Sequence, residues 1–261
     1  MISKQKIKFL RSLEHKKFRD IHNSFLAEGD KTISQLINHF SCEYLAATQP
    51  WLDANPHIAA LAKEADTLTP QQLSAASLLK TPQNAIAVFK KKTATPPTPS
   101  VFTKQLCLVL DSIQDPGNLG TIIRISNWFG IKHIICSPAT ADVYSPKVIQ
   151  AAMGALAGIS ICYTDTTEYL SSLPQDTPVY GTFLDGDNIY DVPLSNHGFI
   201  IMGNEGNGIC DHVADLVTQR LYIPSCNTGS ATVESLNVGV ATAIICAEFR
   251  RRETPQTSIH S

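Results

Sequence analysis

Six short strand-like segments punctuate residues 105–250, the first of them a continuous apolar run: "QLCLVLDSI", "KHIICS", "SICYTD", "PVYGTFLD", "HGFIIMGN" and "RLYIP". Most are followed by a helix-like stretch, such as "NLGTIIRISNWFG", "SPKVIQAAMGAL", "TTEYLSSL" or "CDHVADLVTQ". A strand that is apolar along its whole length must be covered on both faces. Strands alternating with helices therefore predict an α/β fold with a parallel sheet between two helical layers. In such sheets ligands bind where the carboxyl ends of the strands open into loops. Those ends fall at residues 111–118, 182–187, 203–208 and 223–237. The last of these runs into "TVESLNVGVATAIICAEF", where Glu234, Ser235 and Asn237 crowd the start of an otherwise greasy helix.

Ahead of this array lies "KKKTATPPTPSVFTK", which combines a charge run, three prolines and several hydroxyl residues. That composition reads as a linker. It predicts a first domain over residues 1–93, a linker over 94–104 and a second domain over 105–261. The first domain opens on a helical pattern carrying Ile7, Leu10, Leu13 and Phe18. "EYLAAT" and "NAIAVFK" read as strands, "PHIAALAKEA" and "PQQLSAASLL" as short helices, and together they make a small α/β module.

With 43% hydrophobic residues in 261, the chain has enough apolar material for a sizeable core. No apolar run reaches the roughly 20 residues that span a bilayer, so no membrane is expected. The N-terminus is basic but lacks an apolar h-region, so no secretory signal is expected. The seven cysteines stand singly, mostly in apolar runs, and read as small buried hydrophobes of a reducing, cytoplasmic environment. Net charge is −2, yet the first 32 residues hold eight basic and four acidic side chains, against 13 and 19 in the remainder. A basic arm on an acidic body suits contact with phosphates, and a solvated basic helix is the bland alternative.

Three loops stand out. "DPGNLGTIIR" (115–124) ends a strand and starts a helix. Gly117 and Gly120 would permit a tight turn, free N–H groups could hold an anion, and Arg124 would lie one turn above. A plain βα turn with a solvated arginine reads equally well. "GNEGNGI" (203–209) is spaced G-x-x-G-x-G, not the dinucleotide order, and lacks the lysine of a phosphate loop. Its Glu205 would repel phosphate, so a cationic or uncharged ligand fits better. "LDGDNIYD" (184–191) has spaced acids but not the offsets of a calcium loop, and reads as a solvated turn. The eight histidines show no ligand spacing, so no metal is expected.

Taken in order, these loops resemble the SpoU/TrmH family of RNA 2′-O-methyltransferases, within the SPOUT superfamily. "NLGTIIR" matches the family's N-x-G-x-x-x-R motif, "IIMGNEGNGI" the second motif, and "LYIP" with "ESLNVGVATAI" the third. "FLAEGDKTI" and "TPQNAIAVF" resemble the substrate-binding domain found ahead of the catalytic domain in ribosomal-RNA members. The chain departs from the family at Gly239, where serine is usual, and in a loop between Ile223 and Ser235 about four residues longer than usual.

The resemblance implies a parallel-sheet domain with a C-terminal trefoil knot, a homodimer built around it, and S-adenosylmethionine as cofactor. Gly203, Ile223 and Leu236 would contact that cofactor, with Thr182, Met202, Glu205, Gly206 and Pro224 as neighbours. Arg124 would be central to catalysis, either as a base or as a clamp on the neighbouring phosphate. Asn118, Glu205, Ser235 and Asn237 would orient it and the ribose. Lys4, Lys6, Lys8, Arg11, Lys16, Lys17 and Arg19 would contact RNA, with ribosomal RNA favoured over transfer RNA. Three readings compete: a transfer-RNA 2′-O-methyltransferase, a non-catalytic RNA- or ribosome-binding protein of the same fold, and a nucleotide-dependent oxidoreductase. The glycine order counts against the oxidoreductase.

Overall fold

The computed structural model describes residues 2–226 and 235–252. Glu234 and most of the long loop before Ser235 therefore lie outside the described residues. The chain divides into two compact units. One comprises Met1–Thr93, Leu119–Arg124 and Ala141–Gly158, the other Ala94–Asn118, Ile125–Thr140 and Ile159–Ser261.

The first unit is built on strands β1 (Ser24–Glu28), β2 (Cys42–Ala47), β3 (Ala65–Thr67) and β4 (Ala85–Lys90), in the order β1-β4-β2-β3. β4 runs antiparallel to both its neighbours, and β2 runs parallel to β3. Part of the core gathers Leu10 and Leu13 with Tyr44, Leu73, Ile86 and Val88. Elsewhere Phe25, Phe40 and Phe89 form an aromatic cluster, which the Tyr144 ring joins with its centroid 4.8 Å from that of Phe25. Edge-on and tilted ring pairs at such distances stabilise beyond the area they bury.

The predicted helix "PHIAALAKEA" shortens to Pro56–Ala59, and its continuation becomes β3. Leu61, which a longer helix would have to bury, is 51% exposed. The Leu45 amide takes the Glu64 carbonyl at 2.9 Å, so the sheet edge claims the backbone that a helix would have used. Helix Gln49–Ala54 was not expected either, although Pro50 in its first turn is a fair start signal.

The second unit holds six strands: β5 (Leu106–Leu110), β6 (His133–Cys136), β7 (Ser160–Tyr163), β8 (Val179–Asn188), β9 (Gly198–Met202) and β10 (Gln219–Tyr222). They lie in the order β10-β8-β9-β5-β6-β7, and every pairing is parallel. β5 and β9 are buried along their whole length, as their unbroken apolar runs require. The second half of the proline-rich stretch packs here too. It winds through a 3-10 turn, Pro99–Thr103, and buries Phe102 against His133 and Phe199.

Two expectations are corrected in this unit. The "LDGDNIYD" stretch is not simply a turn. Its first half continues β8, with Asp187 and Asn188 opposite Leu221 and Tyr222. The register jumps between Arg220 and Leu221, and the intervening β8 residues are thrown out as a solvated bulge. The helix read in "CDHVADLVTQ" is a single turn, Asp211–Ala214, because β10 takes the residues from Gln219 onward.

Cys42, Cys107, Cys136, Cys162 and Cys246 are free and buried, while Cys210 and Cys226 are exposed. Burial pushes the Cys42 and Cys162 thiols up to about 11 and Cys246 up to about 12, so they behave as inert apolar fillers. Among the described residues no helix is long and apolar enough to cross a membrane, and no three His, Cys, Asp or Glu side chains gather as a metal site.

Candidate active site

Because all six strands of the second unit run the same way, the loops after β5, β8, β9 and β10 emerge along one edge. The loop after β9 is held in shape by Asn204. Its backbone pairs with that of Gly208, both N–H to carbonyl distances being 2.9 Å. Its side-chain oxygen accepts the N–H groups of Gly206 and Asn207 at 2.9 and 3.1 Å, and its amide donates to the Ser112 carbonyl at 2.7 Å. Gly203 must be glycine, since a Cβ there would lie 2.4 Å from the carbonyl carbon of Gly208. The result is a tight, anchored turn with Glu205 exposed on it.

Helix Pro116–Trp128 starts earlier than expected. Asp115 caps it, accepting the Asn118 N–H at 2.9 Å, and Pro116 occupies the first position. Gly117 and Gly120 therefore lie inside the helix and form no tight turn. Gly117 leaves room for the cap, for a Cβ would fall 2.8 Å from the Asp115 carboxylate. That carboxylate already answers the helix N-terminus, so the anion site considered from the sequence is filled by the chain itself. The Asp-Pro pair was the signal for this start.

Asn118 then joins three separate segments. Its Nδ2 donates to Glu205 Oε1 at 2.6 Å, and its Oδ1 accepts from Asn237 Nδ2 at 2.9 Å. Asn237 caps helix Val238–Arg251, its Oδ1 accepting from the N–H groups of Gly239 and Val240 at 3.0 and 3.3 Å. The direction of the chain is forced. Asn237 must turn its oxygen to backbone donors, so its amide donates, so Asn118 accepts with oxygen and offers its own amide to a carboxylate. Asn118, Glu205 and Asn237 are thus brought together. Ser235 is not part of this chain: it is exposed and has no side-chain hydrogen bond among the described residues.

Arg124 lies in the turn Leu119–Arg124 of the first unit. It is exposed, and no hydrogen bond or ion pair engages it among the described residues. Gly120, one turn earlier, is a packing glycine. A Cβ there would lie 2.5 Å from that of Ala151 and 3.0 Å from the Ala152 nitrogen, so its absence lets helix Pro146–Ala152 close on this turn.

Residues 105–247 match the SpoU rRNA Methylase family, and residues 4–87 match the MRM3-like substrate binding domain. The chain belongs to the SpoU rRNA methylase family. It is 30% identical over 250 residues to the 23S rRNA (guanosine(2553)-2'-O)-methyltransferase RlmP of Bacillus subtilis, covering 94% of this chain and 96% of that one. A solved TrmH-family structure from Porphyromonas gingivalis superposes with a TM-score of 0.85 at 39% identity, covering 97% of this chain and all of the other. The AdoMet-bound rRNA methyltransferase from Sinorhizobium meliloti superposes at 0.82 with 26% identity, covering 98% and 97%.

Within this SpoU methylase the residues expected around a cofactor divide in two. Gly203, Gly206, Ile223, Pro224 and Leu236 keep accessible surface along the loop edge, Leu236 as much as 49%. Met202 does not. Its side chain is 1% exposed in the core and its carbonyl is taken by the Asp111 N–H at 2.9 Å, so it is withdrawn as a contact. The Thr182 hydroxyl is also engaged, donating to the Ile201 carbonyl at 2.9 Å.

The basic arm of the methylase divides as well. Lys4, Lys8 and Lys17 are exposed, and none has a partner among the described residues. Lys6 pairs with Glu64 and lies over the Tyr44 ring, and Lys16 pairs with Asp20. Arg11 donates to the carbonyls of Ala75 and Ser77 at 3.3 and 3.1 Å, closing the end of helix Pro70–Ala76. Arg19 is not an RNA contact: it is 3% exposed and ion-paired to Asp142 at 2.6 Å.

Proposed function

We propose that this SpoU methylase transfers a methyl group from S-adenosylmethionine to a ribose 2′-hydroxyl of ribosomal RNA. The observation that carries the reading is the hydrogen-bonded chain Glu205–Asn118–Asn237, which draws one residue from each of the three motif segments to a single loop edge.

The residues at that edge fit the cofactor. Ile223, Pro224 and Leu236 offer half-exposed or exposed apolar surface suited to an adenosine face, and the Gly203 turn presents backbone where a side chain cannot fit. The charged member of the chain is the carboxylate of Glu205, which suits a sulfonium and opposes a phosphate. When bound, the cofactor supplies an electrophilic methyl for in-line transfer. This protein's residues then have to orient a hydroxyl and stabilise it. A 2′-hydroxyl is a poor nucleophile until its proton is leaving, so orientation and charge stabilisation carry the rate. Arg124 grips the RNA phosphate beside the ribose and stabilises the charge growing on the 2′-oxygen. A guanidinium holds its proton, which suits a clamp better than a base, so the 2′-hydroxyl proton passes to solvent water at the exposed loop edge as the O–C bond forms. Asn118, Glu205 and Asn237 orient the reacting ribose, and Ser235 contributes from beside Asn237.

The domain of residues 1–93 selects the RNA, with Lys4, Lys8 and Lys17 as phosphate contacts and loops reading RNA shape. A homodimer around a C-terminal trefoil knot belongs to the same reading. Helices Pro116–Trp128 and Val238–Arg251 are tied at both ends, by Asn237 to Asn118 and by Arg250 to the Phe129 carbonyl at 2.8 Å. They leave Trp128 85% and Val240 50% exposed, apolar surface that a second copy would cover. Sedimentation should give twice the 28.4 kDa chain mass; a monomer at micromolar concentration would remove the dimer. Free, buried thiols support a reducing cytoplasm.

The test is transfer of tritiated methyl onto purified RNAs. Label should enter ribosomal RNA at a ribose; label confined to transfer RNA, or to no RNA, would overturn the reading.

A further inference from the structure

We infer that the segment Ala141–Gly158 positions Arg124 relative to the RNA-binding module, with Asp142 as its key positioning residue. The inference rests on the role proposed above for Arg124. Leu119–Arg124 and Ala141–Gly158 both belong to the compact unit of Met1–Thr93, although the chain visits them only after the second unit has begun.

The contacts form a continuous path. Asp142 Oδ2 accepts from Arg19 Nη2 at 2.6 Å and Nε at 3.1 Å. Arg19 is held from the other side by the Leu13 and Glu14 carbonyls at 2.9 and 2.7 Å. The second oxygen of Asp142 accepts the Tyr144 N–H at 3.0 Å. Tyr144 lays its ring on Phe25 of β1, and its hydroxyl accepts from the Lys92 N–H at 3.0 Å while donating to the Lys92 carbonyl at 2.9 Å. Ser145 caps helix Pro146–Ala152, which packs along β1. That helix meets Gly120 so closely that no Cβ fits, and Arg124 stands one turn beyond.

Close-packed interiors compress little and transmit strain. A displacement of the Asp142–Tyr144 corner therefore carries helix Pro146–Ala152 with it, then the Gly120 turn, then Arg124. Docking of RNA on the first domain and placement of the guanidinium become one event.

Asp142→Asn keeps the shape and removes the charge that answers Arg19. Turnover on ribosomal RNA, counted per cofactor site by calorimetric titration, is expected to fall roughly 10- to 100-fold, with RNA KM and cofactor Kd changed less than about twofold. A merely structural role would lower the number of sites and leave turnover per site alone. Tyr144→Phe, which removes only the latch to Lys92, is expected to fall in the same direction and carries the test if Asp142→Asn does not fold. Unchanged turnover per site in the folded variants overturns this inference while leaving the proposed function standing. A wild-type chain that binds cofactor yet methylates no RNA defeats the function, and this inference with it.

Discussion

Arg19 and Arg124 belong to the same compact unit and carry the same side chain. Arg19 is 3% exposed, and its guanidinium serves Asp142 and two backbone carbonyls. Arg124 is exposed, and nothing among the described residues engages it. A buried guanidinium is stable only when its donors are answered, so Arg19 is fixed as a structural strut. An exposed guanidinium with its fork free is available to a phosphate or a developing oxyanion. The pair shows that basic residue type says little about role, and that what already occupies the donors decides it.

The largest expected effect tests the free member. Arg124→Ala should lower methyl transfer by roughly 1,000-fold or more, the scale of losing a preorganised charge at a reacting oxygen. Cofactor affinity and thermal stability should stay at wild-type values. Arg124→Lys should fail similarly, because a point charge does not reproduce the fork. Near-normal turnover in a tritium assay would place Arg124 with the solvated cations and dissolve the contrast.

The buried member should respond the other way. Arg19→Met strands Asp142 in a mostly buried site and should lose about 3 kcal/mol in urea denaturation, less if water reaches the carboxylate. Its RNA affinity should keep the wild-type salt dependence. A shallower salt slope would return Arg19 to the phosphate contacts.

Lys4, Lys8 and Lys17 sharpen the comparison, since they are exposed like Arg124 but have no part in the proposed transfer step. Replacing all three by alanine should reduce the slope of log affinity against log salt by up to about three, with turnover at saturating RNA little changed. An unchanged slope would show that RNA lies elsewhere on the domain.

The smallest effect concerns Asp20, whose carboxyl is held down at about 2 by hydrogen bonds from Lys16 and Lys91. A depressed carboxyl stabilises the fold above its ordinary value near 3.8 and loses that contribution as pH falls toward 2. The group is largely exposed, so solvent screening keeps it under about 1 kcal/mol. Asp20→Asn should flatten the fall of melting temperature between pH 5 and 2 slightly; an identical profile would show the two lysines contribute nothing.

Much of the proposed site is legible in the sequence. Arg124, Glu205 and Asn237 stand out because a glycine-bearing strand-to-helix turn, or a polar start to a greasy helix, has a local physical reading, whereas Asn118 stands out only because the loops in order resemble a family. Met202 and Arg19 are less accessible than the motifs around them suggest. Met202 ends a strand buried on both faces, and Arg19 sits on the face of a basic helix that must pack. Gly120 was read as a turn residue because a helix that begins at Pro116 differs from a loop only by the cap that Asp115 supplies.

The sequence by itself determined the six-stranded parallel sheet, the small module ahead of it and the loops that carry chemistry. Those follow from apolar periodicity and turn residues, which act over a few positions. Only the tertiary structure decided that Asn118 bridges Glu205 and Asn237, residues 87 and 119 positions away. It alone closed helix Pro146–Ala152 onto Gly120. Such pairings depend on strand order and on which side chains fill the space between elements, and no local pattern records either.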